Sequence, residues 1–233
     1  SSVRVKIGEE SRDNLTDNTM PGRFFIQKFL RDAVEARAEY AIIEVTSEGV
    51  SQYRHRFINF DAALFLNMRP EHIESHGSFE RYREAKVGFF RDAAERSTKP
   101  AKFFIINRED RAAAYFFEAV SDKGKIVYFS REELIAVRLK NRRGAIGDWL
   151  ANDFNLENAA AAAKFGETQN IPWPAIEKAF TNFNGLAGRM DIIQRAPFKV
   201  IVDYAHTPDS LEAVYKTISD SRKSKNSANG GKK

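Results

Sequence analysis

Lys102-Phe103-Phe104-Ile105-Ile106-Asn107-Arg108-Glu109-Asp110 is the stretch on which the fold turns. Phe103 to Ile106 runs apolar without alternation, the pattern of a strand covered on both faces. The polar end at Asn107 closes the strand, and the spacing beyond it predicts a helix over 109–120. The same alternation extends outward in both directions. Strands are expected at 3–7, 40–45, 61–66 and 125–129. Helices are expected at 22–38 (Ile26, Leu30 and Val34 four apart), at 78–97 with Ser78 as cap, at 153–166 and at 174–180. Strand–helix alternation of this kind predicts an α/β fold, a mostly parallel sheet flanked by helices. The alanine run 159–163 reads only as a good helix former.

A glycine-containing break at 184–188 precedes a new strand at 199–204 and a helix at 208–219. A domain boundary is expected there, giving 1–187, then 188–220 as the start of a second domain, then 221–233 as a disordered tail. One strand and one helix are too little for an independent core. Charge supports the tail reading. Lys and Arg exceed Asp and Glu by 37 − 32 = 5, and Arg222, Lys223, Lys225, Lys232 and Lys233 account for the whole excess. The folded part is therefore neutral, with no basic aromatic face for nucleic acid.

Cysteine is absent, which excludes disulfides, thiolate zinc sites and thiol nucleophiles. No apolar run approaches the ~20 residues of a membrane helix. The first residues carry no signal-peptide pattern, and the missing initial Met suggests a truncated chain.

Ligands of open parallel sheets bind at the carboxyl ends of strands. Glu44, Thr46 and Ser47 follow one expected strand; Asn67, Glu71, His72 and His76 another; Asn107, Glu109 and Asp110 a third; Asp203, His206 and Thr207 a fourth. A metal- or phosphate-handling edge is one reading, and ordinary polar strand ends are the other. His72-Ile73-Glu74-Ser75-His76 does not match the zinc-protease motif, whose glutamate directly follows the first histidine. Lys86 shares a helical face with Phe79, Tyr82, Phe89, Phe90 and Ala93. It is either a lysine whose stem packs while its amine reaches water, or a lysine of altered chemistry able to capture carbon dioxide.

Three segments together resemble the Mur ligases, in the branch that adds the third residue to UDP-N-acetylmuramoyl-L-alanyl-D-glutamate (UDP-N-acetylmuramyl-tripeptide synthetase). They are Glu44-Val45-Thr46-Ser47-Glu48-Gly49 with Gln52-Tyr53-Arg54; Asn67 to Gly77 running into Tyr82-Arg83-Glu84-Ala85-Lys86; and Gly188-Arg189-Met190-Asp191 with Val202-Asp203-Tyr204-Ala205-His206-Thr207-Pro208. The resemblance implies a P-loop NTPase-like central domain lacking its first strand and loop, and the start of a Rossmann-like C-terminal domain. It implies Glu44, His72 and a carbamylated Lys86 as catalytic Mg²⁺ ligands. Asn18, Thr19, Thr46, Gln52 and Arg54 would contact the UDP-sugar peptide. Asn155, Asn158, Arg189, Asp203 and His206 would contact ATP. Met20, Glu48, Glu71 and Thr46 depart mildly from the family pattern.

The implied reaction phosphorylates the substrate carboxylate with ATP and then forms an amide with an incoming amino acid. No Gly-x-x-x-x-Gly-Lys-Ser/Thr loop occurs in this sequence, so catalysis by the chain alone is not expected. A monomeric cytoplasmic enzyme without nucleic-acid or membrane partners is the expectation. A non-catalytic sugar-nucleotide-binding module, a truncated reading frame, and an amide ligase of the cyanophycin or folylpolyglutamate type remain as alternatives. The last is disfavoured by 203–211.

Overall fold

Strand β4 (Phe103–Asn107), whose residues Phe104 to Asn107 are buried, has β3 (Ala62–Phe65) on one side and β5 (Lys125–Phe129) on the other. The computed structural model describes residues 4–16, 18–69, 73–139, 146 and 148–229. They fall into two compact units, 1–128 and 129–233.

In the first unit, β1 (Arg4–Ile7) and β2 (Glu10–Asp13) form an antiparallel pair, with Gly8 at φ 58° in the turn. β2 carries Glu-Ser-Arg-Asp, exposed throughout, so no apolar pattern announces it. α1 (Arg23–Glu35) stops short of residue 38 because Arg37 turns to φ 56°. α2 (Ser47–Ser51), α3 (Ile73–His76), α4 (Phe79–Arg96) and α5 (Ala113–Val120) complete the unit. α4 joins β3 to β4, which pair in parallel with Ala62 opposite Phe103 and Phe65 opposite Ile106. The α/β expectation and its parallel pairing therefore hold for this sheet. α5 begins four residues later than expected, since Asp110 Oδ1 accepts from Ala112 N and holds a turn ahead of it.

α4 buries Tyr82, Val87, Phe89, Phe90, Ala93 and Ala94, the face its spacing predicts. Phe116 of α5 stacks on Phe65 at 3.8 Å between ring centroids and takes Phe90 edge-on at 4.8 Å. Each such buried ring contributes roughly 1.5–3 kcal/mol. Gly124 is required by close approach, because a Cβ there would lie 2.6 Å from Phe104 Cε2 and 2.9 Å from the Lys102 carbonyl.

The expected strand at 40–45 does not form. Its backbone joins no strand among the described residues, and Ile42 is 84% exposed. Apolar content alone does not make a strand; the backbone must also join a regular ladder.

In the second unit, Ser130 caps α6 (Arg131–Glu133) by accepting from Glu133 N at 3.0 Å, and a π-helical turn follows at Leu134–Leu139. α7 (Asp153–Thr168) buries Ala159, Ala160, Ala161 and Ala163, so the run serves close packing as well as helix propensity. α8 (Trp173–Asn182) lays Ile176 against Gly166, where a Cβ would lie 3.1 Å from Ile176 Cδ1. β6 (Asp191–Gln194) pairs antiparallel with β7 (Val200–Val202). α9 (Pro208–Asn229) runs ten residues past its expected end at 219, through what was read as tail. No glycine or further proline interrupts the sequence before Gly230. The two compact units meet at 128/129, and the expected boundary at 187/188 falls within the second.

Candidate functional site

Arg54 gathers the polar residues of the first unit. Its Nε and Nη2 donate to Gln52 Oε1 at 3.0 and 2.6 Å, and Nη1 donates to the Met20 carbonyl and, at 3.4 Å, to Asn18 Oδ1. Asn18 is held in turn: its amide donates to the Thr16 carbonyl at 2.9 Å, and its carbonyl accepts from Asn14 Nδ2 at 2.8 Å. Every acceptor on Arg54 is a neutral oxygen, and among the described residues no carboxylate pairs with it. A guanidinium so arranged keeps its charge for an anionic ligand. Asn18, 36 residues from Arg54 in sequence, thus meets Arg54 and its near neighbour Gln52 in space.

Thr46 serves locally. Its hydroxyl accepts from Gly49 N at 3.1 Å as the N-cap of α2. Gly49 lets α2 approach Met20, since a Cβ would lie 2.5 Å from Met20 Sδ. Thr19 and Glu44 line one cavity of about 480 Å³ together with Lys6, Phe29 and Ile42. Glu44 lies in the irregular segment that leads into α2, not at the end of a strand.

Lys86 is half-buried on α4, its Nζ 5.0 Å from the centroid of the buried Tyr82 ring. No carboxylate pairs with it among the described residues. Tyr82 meets His76 edge-on at 5.6 Å, and His76 Nε2 lies 3.0 Å from the hydroxyl of buried Ser47. A chain of contacts therefore joins the start of α2 to the Lys86 amine through α3 and α4. His72, with Glu71, lies outside the described residues.

Magnesium takes oxygen donors. Glu44 supplies one kind, whereas an ammonium at Lys86 would repel the ion. By donor chemistry alone Lys86 would suit Mg²⁺ only once its amine carries a carboxylate, as a carbamate does, and no hydrogen bond or ion pair joins it to Glu44 among the described residues. Among the described residues no three His, Asp or Glu side chains form a metal-binding group of their own.

The nucleotide candidates lie in the second unit. Asn155 and Asn158 sit three apart on α7, and Asn155 Nδ2 donates to the Trp149 carbonyl at 2.7 Å. Asp203 accepts from Met190 N at 2.7 Å and Ala205 N at 2.8 Å, fastening the turn before β6 to the end of β7. Arg189 lies 4.9 Å over the Tyr204 ring, and His206 meets the same ring edge-on at 5.0 Å. Arg189, Asp203 and His206 are brought together around Tyr204.

Sequence reasoning missed the pair His55 and Asp92. His55 is 3% exposed, and its Nε2 lies 2.9 Å from Asp92 Oδ2. Burial opposes the charge on Asp92, but hydrogen bonds from His55 and Arg96 outweigh it and hold the carboxyl below its ordinary range. A carboxylate only accepts, so His55 Nε2 donates. Nothing local could have revealed a partner on another element.

The parallel β3–β4 pair joined through α4 defines an α/β fold, a class whose ligands bind at the carboxyl ends of its strands. The model of the Mur ligase middle domain matches residues 2–165, and that of the Mur ligase glutamate ligase domain matches 188–228. The chain belongs to the Mur ligase family. It is 32% identical to the UDP-N-acetylmuramoyl-L-alanyl-D-glutamate–2,6-diaminopimelate ligase of Halalkalibacterium halodurans, over 94% of this chain and 47% of that protein. It is 30% identical to the UDP-N-acetylmuramyl-tripeptide synthetase of a Roseiflexus species, over 93% and 47%. A solved UDP-N-acetylmuramoyl-L-alanyl-D-glutamate–2,6-diaminopimelate ligase superimposes with a TM-score of 0.67 at 26% identity, covering 90% of this chain and 46% of that one. The chain spans about half the length of the relatives it matches. No helix among the described residues is long and apolar enough to cross a membrane.

Proposed function

We propose that this chain is part of an ATP-dependent ligase that adds the third amino acid to UDP-N-acetylmuramoyl-L-alanyl-D-glutamate through an acyl phosphate. The carrying observation is the convergence of Asn18 and Gln52 on an Arg54 guanidinium that meets only neutral acceptors. Such a group suits a peptide carboxylate. The names of the relatives support the same reading. Asn155, Asn158, Arg189, Asp203 and His206 are assigned to ATP. Glu44, His72 and carbamylated Lys86 are assigned to Mg²⁺, which would neutralise charge on the transferring phosphoryl group. The chain's own part is to orient the carboxylate and hold the metal ligands. We assign it a cytoplasmic place and a monomeric state, acting on small molecules without nucleic acid or membrane.

Phosphoryl transfer depends on positioning and charge neutralisation. Because the sequence holds no phosphate loop, the 233-residue chain alone should show no ligation. Turnover by the purified chain would refute that. Calorimetry with UDP-N-acetylmuramoyl-L-alanyl-D-glutamate tests the substrate assignment: binding that Arg54→Ala abolishes supports it, and equal binding by the variant rejects it. For Lys86, ¹³C-bicarbonate should give a carbamate carbon resonance that Lys86→Ala lacks. In a complete ligase the same substitution should abolish activity, with partial rescue by a small carboxylate. Wild-type activity in the variant would remove the carbamate role.

A further inference from the structure

Tyr53 and Phe57 are not glycines, yet both adopt left-handed backbone, with φ 54° and 69°. They bracket Arg54-His55-Arg56. Strained backbone of this kind persists only where its surroundings over-determine it. The surroundings here are specific. His55 is buried with Nε2 on Asp92 of α4, 37 positions away, and its ring meets Phe89 edge-on at 5.8 Å. Asp92 also faces Arg56 Nε at 3.7 Å and Arg96 Nε at 3.1 Å. Arg56 lies 4.0 Å over the Tyr53 ring, folding the loop back on itself.

The pair is costly as a mere core element. His55 Nδ1 and Arg56 Nε are buried without hydrogen-bond partners among the described residues. Replacing both members of such a pair by well-packed apolar side chains is often neutral or stabilising, whereas removing one member leaves the other without its partner. What the pair does secure is the residue between the strained positions. Arg54 leaves the loop on the side where Gln52, Asn18 and the Met20 carbonyl receive it.

We propose that His55 and Asp92 are positioning residues: they clamp the 53–57 loop to α4 and so fix the direction of the Arg54 guanidinium toward its anionic ligand. The proposal rests on the substrate reading of Arg54 for its purpose, though not for its structural content. Because α4 also carries Lys86, one helix would then reference both the carboxylate-binding arginine and the amine assigned to the metal.

The test uses the 233-residue chain with ¹⁵N-labelled arginine, the Arg54 Nε–H signal being identified by its loss in Arg54→Lys. Hydrogen exchange at that signal should be slow in the parent chain. It should be about tenfold faster in His55→Leu and in Asp92→Asn, both retaining the parent circular dichroism, and slow again in His55→Gln, which keeps a donor for Asp92. Unchanged exchange in whichever of the first two variants folds overturns the proposal, as does a His55→Gln chain that behaves like His55→Leu. Unfolding of both variants overturns it as well, because the pair then holds the fold rather than the arginine. Calorimetry with UDP-N-acetylmuramoyl-L-alanyl-D-glutamate separates this from the substrate reading. If Arg54→Ala binds the dipeptide like the parent, the substrate reading fails while the exchange result still decides the clamp. If Arg54→Ala abolishes binding, His55→Leu should weaken it about tenfold.

Discussion

Phe116 and Phe198 are the same side chain in opposite circumstances. Phe116, on α5, is 1% exposed between Phe65 and Phe90, whereas Phe198, just before β7, is 65% exposed. The difference lies in layering. Around β4 a sheet is covered by helices that bring aromatic rings onto it. Around β6 and β7 a two-stranded pair leaves Leu186, Ile193 and Tyr204 exposed alongside Phe198. A strand pair buries apolar surface only when something is laid on its face.

Removing the two rings should break or confirm that contrast most sharply. Phe116→Ala is expected to cost about 3–5 kcal/mol in denaturant unfolding, the transfer term and the cavity term adding. Phe198→Ala should fall within about 0.5 kcal/mol. Comparable losses would mean that the second pair is covered by something its exposure does not show.

Two glycines refine the comparison. Gly124→Ala places a methyl against Phe104 and a backbone carbonyl that cannot retreat, so a loss of about 1–3 kcal/mol is expected. Gly185→Ala meets nothing within 4 Å, and only its φ of +90° resists the change. Its cost should be about 1 kcal/mol and insensitive to substitutions around β4.

A smaller effect should come from pH. The Asp92 carboxyl is depressed when folded, so its contribution to stability is present above the unfolded-state value, near 3.8. That contribution is lost as pH falls through the lower folded value. Asp92→Asn should flatten the acid limb of the stability curve in that window and leave its slope near neutrality unchanged. An unaltered acid limb would remove Asp92 as a stabilising carboxylate.

The strand–helix order of the first unit was legible because each element carries its own period: Phe103 to Ile106 unbroken, and Tyr82, Phe89, Phe90 and Ala93 on one helical face. The half-buried seat of Lys86 followed from that same face. The 40–45 segment was misread because an apolar run states what it would bury, not whether a ladder is beside it. β2 was missed because its residues are all exposed.

By itself the sequence determined periodicity, the α/β alternation and the residue types of the candidate site. Only the tertiary structure decided that Asn18 meets Arg54 and that His55 meets Asp92. Burial patterns repeat along the chain and can be read locally. A hydrogen bond between distant residues depends on where the intervening elements return the chain, and no single segment encodes that.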